Sequence, residues 1–220
     1  ERFLMVVCGS SETTEVHYVD LDAGEDAPLT VFQPRIFGLR YEPDHHEDNF
    51  FIMTNKDGAT EMKLMYCKVG QTSVDKWVEL IPHSRDRQIV DLVVFKDFVA
   101  MEGREGGLTR LWVMGFDDAR LPNPASMRHL TFKDDLYEVT TNVNMVWDTS
   151  RLRLWYSSLA SPPTWYEIDM KAFIGGAPDS VPEFTTIKQK EVLNFDPDLY
   201  RTQRLFAKAP DGTQVPISMV

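Results

Sequence analysis

Apolar residues along the chain fall in short runs rich in β-branched and aromatic side chains, each bounded by Gly, Asp, Asn or Pro. That is the pattern of strands joined by turns, and no stretch sustains the 3.6-residue period of a long helix. The runs also recur. One set begins near Phe3 (FLMVV), Phe50 (FFIMT), Phe98 (FVAM) and Leu152 (LRLWY), at intervals of 47, 48 and 54 residues. A second set follows at Val16 (VHYVDL), Met62 (MKLMYCKV), Thr109 (TRLWVMGF) and Thr164 (TWYEIDM), at intervals of 46, 47 and 55. A third set lies near Leu29, Trp77, Met127 and Phe184. A fourth, near Ile36, Arg87 and Leu136, sits just ahead of the next member of the first.

Four strands in a repeat of roughly 50 residues predict the blades of a β-propeller. The expected fold is all-β, with blade boundaries near residues 35, 86 and 136: three complete blades, plus three strands of one whose leading strand would precede Glu1. A β-sandwich uses the same strands but does not require the repeat. Hairpin loops are expected at Gly9-Ser10-Ser11, Asn55-Lys56-Asp57-Gly58 and Gly103–Gly107, where glycine supplies positive φ. After Leu193 the pattern changes. Asn194-Phe195-Asp196-Pro197-Asp198 reads as a linker, then Arg201–Ala207 and Val215–Val220 as a hairpin turning at Asp211-Gly212. This divides the chain into 1–193, a propeller portion, and 194–220. Both ends read as strands, so a piece of a longer protein is expected.

Charge and composition narrow the partners. The 220 residues carry a formal net charge of −11, which disfavours nucleic acid and anionic membrane surfaces. No apolar run approaches the roughly 18 residues of a membrane-spanning helix. The two cysteines, Cys8 and Cys67, make no zinc-like spacing and fit a reducing compartment. Much of the excess is local: twelve acids against three bases between Ser11 and Met62. Such a segment aids solubility and would also attract basic ligands.

Catalytic motifs are absent from the sequence: no G-x-S-x-G nucleophile elbow, no phosphate-cradling glycine loop, no G-x-G-x-x-G fingerprint and no H-E-x-x-H. The densest cluster of candidate ligands is His45-His46-Glu47-Asp48. Neighbours on a strand face opposite ways, so a solvated loop is expected there rather than a metal site. His17, His83 and His129 stand alone. Trp147, Trp155, Tyr156, Trp165 and Tyr166, and the methionines Met62, Met65, Met101 and Met114, are expected to pack between blades; a base-stacking or peptide-binding surface is the alternative for the aromatic group.

Pro34–Tyr41 with Asp44-His45-His46 and Phe50–Asn55, and then Gly107–Leu111, resemble the oligopeptidase B propeller. Arg153–Leu159 with Ser161-Pro162 and Thr164–Tyr166, and finally Asp211–Ser218, are similar to segments of the wider prolyl oligopeptidase family of serine peptidases. The resemblance implies a cytoplasmic peptidase without cofactor, in which a seven-bladed propeller caps an α/β-hydrolase domain and short peptides are cut after Arg or Lys. Residues 194–220 would be the linker and opening hairpin of that hydrolase domain. The partners implied are the peptidase domain, the remaining blades and short basic peptides. The chain stops before the segments where the family keeps its Ser, Asp and His. No residue here takes a catalytic, cofactor or metal role, and Ser10, Ser157 and Ser158 are not substitutes, since an unactivated hydroxyl is a poor nucleophile. A free-standing propeller scaffold without chemistry is the alternative.

Overall fold

Strands form where the apolar runs recur. The computed structural model describes residues 2–177 and 180–220; Glu1, at the strand-like N-terminal end, lies outside them. The chain divides into two units, Glu1–Val94 and Phe95–Val220.

In the first unit, β1 (Phe3–Gly9), β2 (Thr14–Asp20) and β3 (Thr30–Gln33) make an antiparallel sheet in the order β1-β2-β3. A second sheet runs β4 (Tyr41–His46), β5 (Asn49–Thr54), β6 (Lys63–Lys68) and β7 (Val78–Ile81), in sequence order. The last strand of the unit is β8 (Arg87–Val94). In the second unit, β9 (Phe98–Glu105), β10 (Leu108–Gly115) and the short β11 (Arg128–His129) pair antiparallel around β10. Next come β12 (Tyr137–Thr141), β13 (Arg151–Ser158), β14 (Ser161–Asp169) and β15 (Thr185–Gln189), a four-stranded sheet in that order. The chain closes on a two-stranded hairpin, β16 (Gln203–Lys208) with β17 (Gln214–Met219).

The central strands are the most buried: all six residues of β5 and the first four of β9. A strand covered on both faces reads as a continuous apolar run rather than an alternating one, which is why FFIM and FVAM stand out in the sequence. In the first unit, Phe3, Val16, Phe32, Tyr41, Phe50, Ile52, Met65 and Trp77 share one core. Its rings meet in several geometries, edge to face at Phe32–Phe50 with 5.0 Å between centroids and stacked at Phe32–Tyr41 with 6.0 Å. A bulge recurs in the outer half of three sheets, at Val16/His17, Leu64/Met65 and Trp165/Tyr166. Each shifts the pairing register by one residue and leaves main-chain groups for other partners. No sequence motif marks these bulges.

Some expectations move. The strand expected near Ile36 begins at Tyr41 instead, because residues 36–39 form a turn closed by Leu39 N–H to the Ile36 carbonyl at 3.0 Å. Gly38 turns there at φ +81, a conformation that favours glycine. Asn55 clamps this turn: its Oδ1 accepts from Arg40 N at 2.8 Å and its Nδ2 donates to the Gly38 carbonyl at 2.8 Å. Met62 is not filler but a turn residue at φ 62, whereas Met65, Met101 and Met114 are buried. Gly9 lacks the positive φ expected of its loop; Ser10 Oγ organises that turn by accepting from Thr13 N at 3.2 Å. The stretch ending at Asp169-Met170 leaves the strand for a short helix, α1 (Met170–Ile174), capped by Asp169 Oδ1 on Lys171 N and Ala172 N.

Candidate functional site

The histidine cluster lies on a strand end. His45 and His46 close β4, with Glu47 and Asp48 exposed in the tight turn to β5. His46 is fully buried, which corrects the solvated-loop expectation for that residue: it ends β4 opposite the buried Asn49, with its ring 5.9 Å from that of the buried Phe51. His45 Nε2 lies 2.6 Å from the Glu47 carbonyl, and its ring stands edge-on to Phe3 at 4.6 Å. Burial pushes the His45 imidazolium down from its ordinary pKa, with the Glu47 carbonyl opposing. Among the described residues no group of three or more His, Cys, Asp and Glu side chains is placed to hold a metal. Nor is any helix there long and apolar enough to cross a membrane.

The acidic segment holds ion-paired and exposed acids, and Asp22, 3.6 Å from Arg2 Nε, is both. Glu15 Oε2 accepts the Arg35 amide at 2.8 Å, Asp20 pairs with Arg2 at 2.7 Å, and Asp57 pairs with Lys56 and Lys63 at 2.8 and 3.0 Å. Glu12, Asp22, Glu25, Asp26, Glu47 and Asp48 are exposed. Glu42 on β4 feels Asp91 on β8; partial desolvation first, then that like charge, raises its carboxyl above the usual range. Of the aromatic group, Tyr156 is buried, but Trp147 is 41% exposed. Trp155 and Trp165 are register partners on β13 and β14, both partly exposed, with Lys188 Nζ 5.4 Å above the Trp165 ring. The expectation of blade packing therefore fits Tyr156 and not Trp147.

In the second unit a cleft of about 330 Å³ has Arg104, Tyr137, Glu138, Ser157, Ser158 and Ser218 in its lining. Its walls are fixed by polar contacts. Thr109 Oγ1 donates to the Tyr137 carbonyl at 3.1 Å and accepts from Val139 N at 3.2 Å, and Arg110 donates to the Tyr137 hydroxyl at 3.0 Å. Behind the serine wall, Asp134 Oδ2 accepts from the Tyr156 hydroxyl at 2.5 Å and from Ser161 Oγ at 2.7 Å. Burial pushes the Asp134 carboxyl up. Donors from Tyr156, Ser161 and Ser158 outweigh it and hold the group below the usual carboxylate range. Burial first, then the same contact, drives the Tyr156 hydroxyl well above its ordinary pKa.

Arg104 and Glu138 give this cleft opposite charges, and its serines give hydroxyls, so it is suited to holding polar groups. Among the described residues no histidine lines it. Ser10 is bound up in its own turn. The Asp134 hub and the cleft arise from residues far apart in sequence, and no spacing signals them.

Comparison with known proteins gives these features a context. A family model described as the prolyl oligopeptidase N-terminal beta-propeller domain matches residues 1–172. Protease 2 of Moraxella lacunata is 26% identical over the whole chain, and Dipeptidyl aminopeptidase BI of Pseudoxanthomonas mexicana 28%. The chain spans 29% and 28% of their lengths. Among solved structures, oligopeptidase B from Trypanosoma brucei, in a closed form with covalently bound antipain, superposes with a TM-score of 0.87 at 33% identity. The match covers 99% of this chain and 30% of that one. Oligopeptidase B from Leishmania major gives 0.85 at 31%, with the same coverage.

Proposed function

This chain belongs to the prolyl oligopeptidase family through that family's N-terminal β-propeller domain, and on that premise we propose that it is the propeller part of a cytoplasmic serine oligopeptidase cutting short peptides after Arg or Lys. One observation carries the choice of branch. Identity is 33% and 31% with the two oligopeptidase B structures but 15% with a prolyl endopeptidase structure, all matched over 99% of this chain. In this reading residues 1–193 belong to the propeller. Residues 194–220 are the linker and first hairpin of the peptidase domain, in keeping with the separate two-stranded sheet of β16 and β17.

The chain itself is the non-catalytic part. Its partners are the peptidase domain, the other blades and, in the complete enzyme, short basic peptides. The exposed acids of the first unit contribute a negative field that gathers such peptides at low salt. A stand-alone scaffold is not favoured, since the relatives matched along the whole chain are named as peptidases.

The test is hydrolysis of chromogenic peptides by the complete protein. Cleavage after Arg and Lys, abolished by a serine-directed covalent reagent, is the expected result. Preference for Pro would overturn the specificity, and no hydrolysis of any peptide would restore the scaffold. Steering fails separately if kcat/KM for a dibasic peptide is unchanged between low and high ionic strength.

A further inference from the structure

The terminal hairpin is almost wholly bare. Of the twelve residues in β16 and β17, only Arg204 is partly buried. Its guanidinium donates to the Gly106 carbonyl at the tip of the β9–β10 turn, ninety-eight residues earlier in the chain. The Phe206 ring, 5.3 Å from the guanidinium carbon, orients it. Gly107, the next residue of the turn, sits at φ +75, and a side chain there would meet Arg204 Nη2 at 3.3 Å and Pro216 Cγ at 3.7 Å. A glycine thus serves twice: it takes the left-handed backbone and lets the hairpin come close.

We propose that the Gly106–Gly107 turn is the seat of the terminal hairpin, and that Arg204 is the positioning residue that holds the hairpin on it. A planar guanidinium reaching a main-chain carbonyl fixes direction as well as distance. With so little apolar area covered, this one charge-assisted bond supplies much of the hold. If residues 194–220 open the peptidase domain, a point that rests on the function proposed above, the seat sets where the propeller meets that domain.

Hydrogen exchange on the complete protein tests the seat without reference to activity. In Arg204→Ala, amides of residues 203–219 should exchange about tenfold faster, as expected for loss of a hydrogen bond to a charged group. Those of β9 and β10 should be unchanged. Arg204→Lys keeps a donor and should recover part of the protection. Gly107→Asn, which tolerates positive φ, should expose the hairpin from the other side of the seat. Arg201→Ala, on the exposed linker, should leave exchange as it was. Wild-type protection in Arg204→Ala overturns the proposal, as does acceleration spread equally over β9 and β10. Loss of hairpin protection in a protein without peptidase activity would remove the functional reading and leave the seat standing.

Discussion

The Tyr41 hydroxyl accepts the Val16 backbone amide at 2.8 Å, joining the first residue of β4 to the middle of β2. The same hydroxyl donates to the Gln33 carbonyl at 2.8 Å. Val16 and Gln33 are register partners at the β2–β3 bulge, where pairing skips a residue before His17 meets Val31. The bulge withdraws two main-chain groups from the ladder, and a phenol from the next sheet satisfies both. Gln33 extends the link: its Oε1 accepts the Val74 amide at 2.7 Å.

Tyr41→Phe should therefore cost about 1–3 kcal/mol, because it leaves the buried Val16 amide unsatisfied while barely changing the packing. Burial raises the Tyr41 pKa above its ordinary value, so the hydroxyl keeps its proton under ordinary alkaline conditions. Urea unfolding of both proteins checks this. A midpoint and slope indistinguishable from wild type would mean that water replaces the hydroxyl.

Lys63 tests how a buried cation is held. Only 7% of its side chain is exposed, and it contacts Asp57 at 3.0 Å and Glu79 at 3.1 Å. Burial alone would lower its pKa, but the two carboxylates outweigh this and raise it. The sign follows: the contribution is complete below the ordinary lysine pKa and fades as pH rises through the raised folded value. Asp57→Asn or Glu79→Gln alone should be mild, since one carboxylate remains. The double variant should lose more stability than the two singles combined. A strictly additive double variant would show that neither carboxylate compensates for the other.

At the cleft the acid limb is diagnostic. Asp134 has a lowered folded pKa, so its contribution is present above the ordinary Asp value of about 3.9 and disappears as pH falls through the folded value. Tyr156→Phe removes one donor and should raise the Asp134 pKa, shifting local acid unfolding to higher pH. Carboxyl NMR titration reads the shift directly. An unmoved Asp134 pKa would assign its depression to Ser161 and Ser158 alone.

Much of the fold was legible in the sequence, because blade strands covered on both faces leave apolar runs at a repeat of about 50 residues. The starts expected near Arg87 and Leu136 match β8 and β12 closely. The start near Ile36 fails because Val31, Phe32, Ile36 and Phe37 form one apolar-looking stretch, while Gly38 and the Asn55 clamp impose a turn that only the partner segment reveals. The cleft was illegible for a similar reason. Ser157 and Ser218 share it across 61 positions, and neither carries a motif. The Arg204–Gly106 contact likewise joins a charged residue to a carbonyl, and a carbonyl has no sequence signature.

The two cysteines give a last, simple reading of the first unit. Cys8 is exposed on β1, whereas Cys67 is 2% exposed in the core beside Phe50, its register partner on β5. Desolvation pushes the Cys67 thiol up to about 12, and the thiolate is the reactive form. Near pH 8 a disulfide-exchange reagent should therefore label one thiol per native chain, and a second only after denaturant is added. Cys8→Ser should abolish the native reaction. Labelling of Cys67 in the Cys8→Ser protein, at a rate near that of a free thiol, would mean that the β5–β6 core opens far more readily than its packing requires.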